Sequence, residues 1–210
     1  MSRRSRIAAL AGFPLVVAAS AYAADPTVIE RTEEIVGRSF SSATADERKA
    51  RLDQDEVQAL CSMHHNQPPE TAALRILELS RSSLRYPPDG RLIGDWKEGE
   101  KLASVGTGGH IGKIQPDRPG VRRGGNCYAC HVLAPKEVAG GNLGPSLAGY
   151  GRQRGTSPEA VRLTYEKIFN AQAFYPCSHM PRFGSNAWLT PQEVADAVAF
   201  LLDAESPVNK

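Results

Sequence analysis

Residues 124–133 read GGNCYACHVL, and Cys127-Tyr128-Ala129-Cys130-His131 within them constrains the fold more than any other stretch. Two thiols separated by two residues, with an imidazole directly behind the second, come together on a single helical turn. Three chemistries use paired cysteines at this spacing. A structural zinc site needs a second pair of thiolates or imidazoles, and the other two cysteines, Cys61 and Cys177, stand far apart in the chain. A redox dithiol sits at a strand-to-helix junction inside a βαβ unit, a pattern this sequence does not carry. Covalent haem attachment fits: both thiols add to vinyl groups and the next residue coordinates the iron. The expected cofactor is one haem c, with Cys127 and Cys130 as its attachment points and His131 as proximal iron ligand.

The compartment agrees. The chain opens MSRRSRIAALAGFPLVVAASAYA, three arginines followed by an apolar run from Ile7 to Ala19 and then Ala21-Tyr22-Ala23. This reads as a signal peptide over residues 1–23, its apolar run too short to remain as a membrane anchor, and the expected location is the periplasm. The leader takes three Arg and no acid from a total of 25 Lys+Arg and 23 Asp+Glu, so the chain beyond it is close to neutral. Nothing in that balance favours nucleic acid or an anionic membrane as partner.

Helical periodicity accounts for the rest, and the class is all-α. Thr27 to Gly37 reads as a short helix, and the polar stretch Ser39 to Lys49 as a frayed lead-in. Asp53-Gln54-Asp55-Glu56 has capping-box side chains ahead of Val57, Leu60, Cys61 and His64, which places Cys61 on an inward face. Pro68-Pro69-Glu70 starts a helix with Leu74, Leu77 and Leu84 on one side. Further helices are expected from Asp95-Trp96-Lys97-Glu98, from Pro158 to Asn170, and after Thr190, with Pro191 at N1, Glu193 at N3 and an apolar face of Val194, Val198, Leu201 and Leu202. The division this suggests is a helical extension over residues 24–90 and a haem domain over 91–210.

A six-coordinate haem needs a second axial ligand. "YPCSHMPRFG", Tyr175 to Gly184, supplies Met180 in front of a proline that stiffens the loop, and a thioether raises the potential of an electron-accepting haem. His179, His64, His65, His110 and an open site are the alternatives. In "NLGPSLAGYG", Asn142 to Gly151, the carbonyl of Pro145 is placed to accept the other ring N–H of His131, with an ordinary Gly-Pro turn as the competing reading. Arg152, Arg154 and Arg182 are either propionate partners or surface charges. Four cysteines less two thioethers leave Cys61 and Cys177, an even remainder in an oxidising compartment, which points to a disulfide, with two buried thiols or an intermolecular link as alternatives. If the bridge forms, the chain retains no reactive thiol and its visible chemistry is electron transfer.

The helix before Cys-x-x-Cys-His, the Gly-Pro turn, the late Met-Pro and the C-terminal helix together resemble class I cytochromes c over roughly Gly94 to Ala204. "GDWKEGEKLA", "GGNCYACH", "GPSLAGYG", "PCSHMPRFG" and "LLDAESPVN" are similar, more narrowly, to the SoxX family, the monohaem subunits of SoxAX cytochromes in bacterial sulfur oxidation. That resemblance implies a periplasmic heterodimer with a SoxA-like haem subunit. The partner would carry the L-cysteine S-thiosulfotransferase chemistry on a SoxYZ-like carrier protein. This subunit, not itself catalytic, would pass the released electrons to a soluble cytochrome c, with His131 and Met180 as axial ligands. The extension and the "SPVN" tail are read as signs of a fixed partner rather than a free shuttle.

Overall fold

The computed structural model describes residues 26–107, 120–121, 123–137 and 139–210; the expected signal peptide and His110 lie outside them. Every regular element among the described residues is helical, as the periodicity predicts.

Two helices frame the C-terminal part. Asp95 caps α5 (Trp96–Ser104) by accepting from the Lys97 amide at 2.8 Å. Thr190 and Glu193 form a reciprocal capping box on α8 (Pro191–Leu202), with Pro191 in the first turn where its missing N–H costs nothing. These helices cross at Gly99, where any Cβ would collide with the backbone carbonyl of Asp196. The missing side chain lets the two backbones touch. The Asp196 carboxylate then accepts from the Asp95 amide at 2.9 Å and ties the start of α5 to its partner.

The apolar stripe expected on α8 is there, but burial is broader than a stripe: every residue from Val194 to Leu202 is buried. α5 covers one side, α7 (Pro158–Phe169) another, and the short α6 (Tyr150–Arg154), which no sequence signal announces, sits against the far end. The tail closes this end. Ser206 donates to the Phe200 carbonyl, and buried Asn209 donates to the carbonyls of Leu201 and Asp203 while accepting from the amides of Gly151 and Arg152. The polar side chains of "SPVN" are thus used inside the fold, as the C-cap of α8 and the N-terminal anchor of α6.

The extension differs from expectation in three places. The lead-in is not uniformly frayed: α2 (Ala45–Arg51) comes after α1 (Pro26–Ser39), started by a Thr44–Glu47 capping box that the absence of apolar periodicity concealed. The N-cap of α3 (Glu56–Met63) is Asp55 paired with Gln58, two residues later than the Asp53 register. On α4 (Glu70–Ser82) the inward face is Ala72, Ile76 and Ser80, and Leu74 is exposed. Ala72 and Ser80 lie on either side of Ile76 on that face, which packs close against the turn Ala171–Ala173. Val57, Cys61, Ile76 and Cys177 form a second small core, separate from the main one.

Candidate functional site

The motif is a single 3₁₀ turn, Cys127–Ala129, entered from Asn126 in the left-handed region. The amides of Cys130 and His131 both donate to the Cys127 carbonyl, at 3.1 and 2.9 Å, so the two thiols and the imidazole come off one turn. Its entrance hangs on the end of α5, with Gly125 N donating to Leu102 O and Asn126 N to Val105 O. Trp188 holds the same entrance from the other side through a 2.8 Å bond from Nε1 to the Gly124 carbonyl. Three further backbone bonds, from the amides of Gly141, Gly144 and Leu147 to the carbonyls of Tyr128, Cys130 and Val132, fold the next loop back along the motif.

That loop delivers Pro145. Its carbonyl lies 2.7 Å from His131 Nδ1, and since a carbonyl only accepts, Nδ1 carries the proton. Nε2 is then left with its lone pair free. Gly144 makes the close approach possible, since a Cβ there would run into the imidazole ring.

His131 and Met180 line one apolar cleft together with Cys127, Leu133, Phe183 and Leu201. The loop bearing Met180 is pinned at both ends. Cys177 is bonded to Cys61, and Gly184 donates to the Phe169 carbonyl at 2.9 Å. Burial pushes the Cys127 thiol up to about 11, which holds it as a thiol near neutral pH. Among the described residues no three His, Cys, Asp or Glu side chains are grouped to hold a metal ion by themselves.

These residues fit a haem. An apolar cleft is lined by both the His131 imidazole and the Met180 thioether, Cys127 lines it too, and the second unpaired cysteine, Cys130, closes the same turn as Cys127. The other candidates are placed elsewhere. His179 is exposed, and His64 and His65 lie at the end of α3, outside the cleft. Arg182 pairs with Asp55 at 2.7 Å, Arg152 donates to the Asn209 carbonyl, and Arg154 lies over the Tyr150 ring, so each has a protein partner. Sequence reasoning missed Phe183 and the Asp55–Arg182 pair; the pair joins residues far apart in the chain and leaves no periodic signal.

A family model described as cytochrome c matches residues 123–205. A protein of Aquifex aeolicus described as an uncharacterized lipoprotein is 43% identical over 164 residues, covering 78% of this chain and 76% of the relative. That similarity runs well beyond the family match, so it includes part of what precedes residue 123. Among the described residues no helix is long and apolar enough to cross a membrane.

Proposed function

We propose, from the match of residues 123–205 to the cytochrome c family, that this chain is an exported monohaem electron-transfer subunit, with Cys127 and Cys130 bonded to haem c and His131 and Met180 as axial ligands. When bound, the haem supplies one-electron exchange at its iron. The observation that carries the reading is the His131–Pro145 bond: it fixes the tautomer and the ring orientation and leaves an unprotonated Nε2 facing away from the carbonyl. Met180, in the same cleft, supports a six-coordinate site over an open sensor. The apolar lining excludes water and favours the less charged reduced state.

For the physiological role we propose the SoxX-like assignment: a periplasmic partner of a SoxA-like subunit, taking electrons as thiosulfate is coupled to a carrier cysteine and handing them to a soluble cytochrome c. Its support is the set of resembling motifs and the cysteine inventory. With Cys61 and Cys177 bonded together and the other two assigned to haem, this chain keeps no thiol for sulfur chemistry. The relative's description as a lipoprotein fits export; here the first cysteine in the sequence is Cys61, and it is in the disulfide. A free shuttle is the second reading, favoured by the buried side chains of Ser206, Val208 and Asn209, which are not available to a partner. The deciding experiment uses affinity-purified holoprotein co-expressed with its neighbouring genes. Haem reduction that needs thiosulfate, the carrier and a co-purifying haem subunit establishes the role. A monomer that no such mixture reduces establishes the shuttle.

A further inference from the structure

Met180 is gripped from both sides by one short helix. Three residues before it, Cys177 is bonded to Cys61 of α3; two residues after it, Arg182 pairs at 2.7 Å with Asp55, the N-cap of that same helix. We propose that the α3–α4 arm is a brace that holds Met180 on the haem iron, with Asp55 and Cys61 as its positioning residues; this rests on Met180 being the axial ligand.

The geometry has the properties a brace needs. Arg182 is only 9% exposed, whereas Asp55 is half open to solvent, so the pair joins a buried cation inside the ligand loop to the rim of the arm. Cys177 sits at φ 59°, a left-handed backbone that a non-glycine residue adopts only when its surroundings hold it there. Gln172, in the turn beneath the arm, donates to the Ser178 carbonyl at 3.4 Å, and the Ser178 hydroxyl accepts from the Met180 amide at 3.3 Å. The arm itself stands on the haem domain. Arg81 Nε donates to Ala173 O, the hydroxyls of Ser83 and Ser185 meet at 2.8 Å, and Asn170 Nδ2 donates to the Ser83 hydroxyl. A load on the loop is therefore carried through α3 and α4 to the turn that follows α7 and to Ser185.

The function of such a brace is to suppress loop opening. A neutral thioether is a weak iron ligand, and a competing base reaches the iron only in the fraction of molecules whose Met180 has left. The apparent affinity of the competitor is its intrinsic affinity scaled by that fraction, so every contact that closes the loop weakens the competitor in proportion.

The test is an imidazole titration of the full-length holoprotein, followed through the methionine-to-iron charge-transfer band. Asp55→Asn removes the charge but keeps the α3 cap, because Asn caps as well as Asp. It should tighten apparent imidazole binding roughly threefold to tenfold. Cys61→Ser with Cys177→Ser should tighten it by about tenfold or more. Should the serine variant not fold, dithiothreitol reduction of the folded holoprotein breaks the same bond and is read in the same way. Arg182→Gln should match Asp55→Asn, and Arg182→Lys should restore most of the difference. Arg75→Gln, which breaks an exposed pair with Glu56 on the same arm, should leave the titration unchanged. Asp55→Asn and the disulfide break both within twofold of wild type would overturn the brace. A wild-type protein lacking the charge-transfer band would overturn the assignment of Met180 instead.

Discussion

Replacing Asn209 with Ala tests whether the C-terminal tail serves the fold or a partner. The Asn209 side chain makes four hydrogen bonds with the chemistry matched at every contact. Its Oδ1 accepts from Gly151 N at 2.8 Å and Arg152 N at 3.2 Å, and its Nδ2 donates to Leu201 O at 3.0 Å and Asp203 O at 2.8 Å. All four partners are backbone groups at the ends of α6 and α8, which no intrahelical bond satisfies. A net ~1 kcal/mol per bond gives about 4 kcal/mol as a ceiling, and water reaching the open site brings the expected loss to about 3 kcal/mol. For a domain this size that is a fall of roughly 6–12 °C in melting temperature. Asn209→Asp keeps the acceptor and discards the donor, so it should recover no more than half. Circular dichroism melts of the holoproteins with equal haem content provide the comparison. A fall below about 2 °C, combined with loss of partner co-purification, would refute the internal role and return the tail to an interface.

Three further outcomes are expected. Gly144→Ala puts a methyl group into the His131 ring, so holoprotein yield by pyridine haemochrome assay should collapse, while Gly37→Ala, on α1 with open space around it, should leave haem content intact. Breaking the Cys61–Cys177 disulfide, which closes a separation of 116 residues, should cost about 5 kcal/mol in the chain-entropy account and lower the melting temperature by roughly 10–20 °C; an unchanged melt of the reduced protein would contradict this. Burial raises the phenol of Tyr86, with its bond to Glu166 adding to the effect, and burial likewise raises Tyr165. Because the folded pKa lies above the unfolded one, the stability these phenols contribute is complete below about pH 10 and is lost as the pH climbs from there toward the folded values. Alkaline melts and phenolate absorbance should show both tyrosines titrating later than an exposed one; normal titration of both would remove the effect.

What the sequence discloses is uneven, for physical reasons. α8 is legible to the residue because Thr190, Pro191 and Glu193 act locally on their own amides. The Cys-x-x-Cys-His turn is legible because its three groups follow one another in the chain, and the Pro145 contact to His131 and the place of Met180 beside the same cleft because each sits in a loop stiffened by proline. α2 escapes because five charged residues and two alanines carry no apolar periodicity, and its only signal is the Thr44–Glu47 box. The face of α4 is misread because leucines attract attention, whereas Ala72, Ile76 and Ser80 are selected by the closeness of Ala171–Ala173, which only the folded chain displays. Asp55 with Arg182, and Asn209 with the ends of two helices, are pairings between distant segments, and nothing in a linear reading relates them.

α1 buries none of its fourteen residues and leaves Val28, Ile29 and Ile35 exposed, while α8 is enclosed from Val194 onward. An isolated helix of that length is marginal in water, so the amide protons of α1 are free to exchange through fraying alone. Those of α8 are released only when α5, α6, α7 and the tail come apart together. The molecule thus has a graded resistance to opening, from a first helix that opens by itself to a last helix whose exchange measures the free energy of unfolding the whole domain.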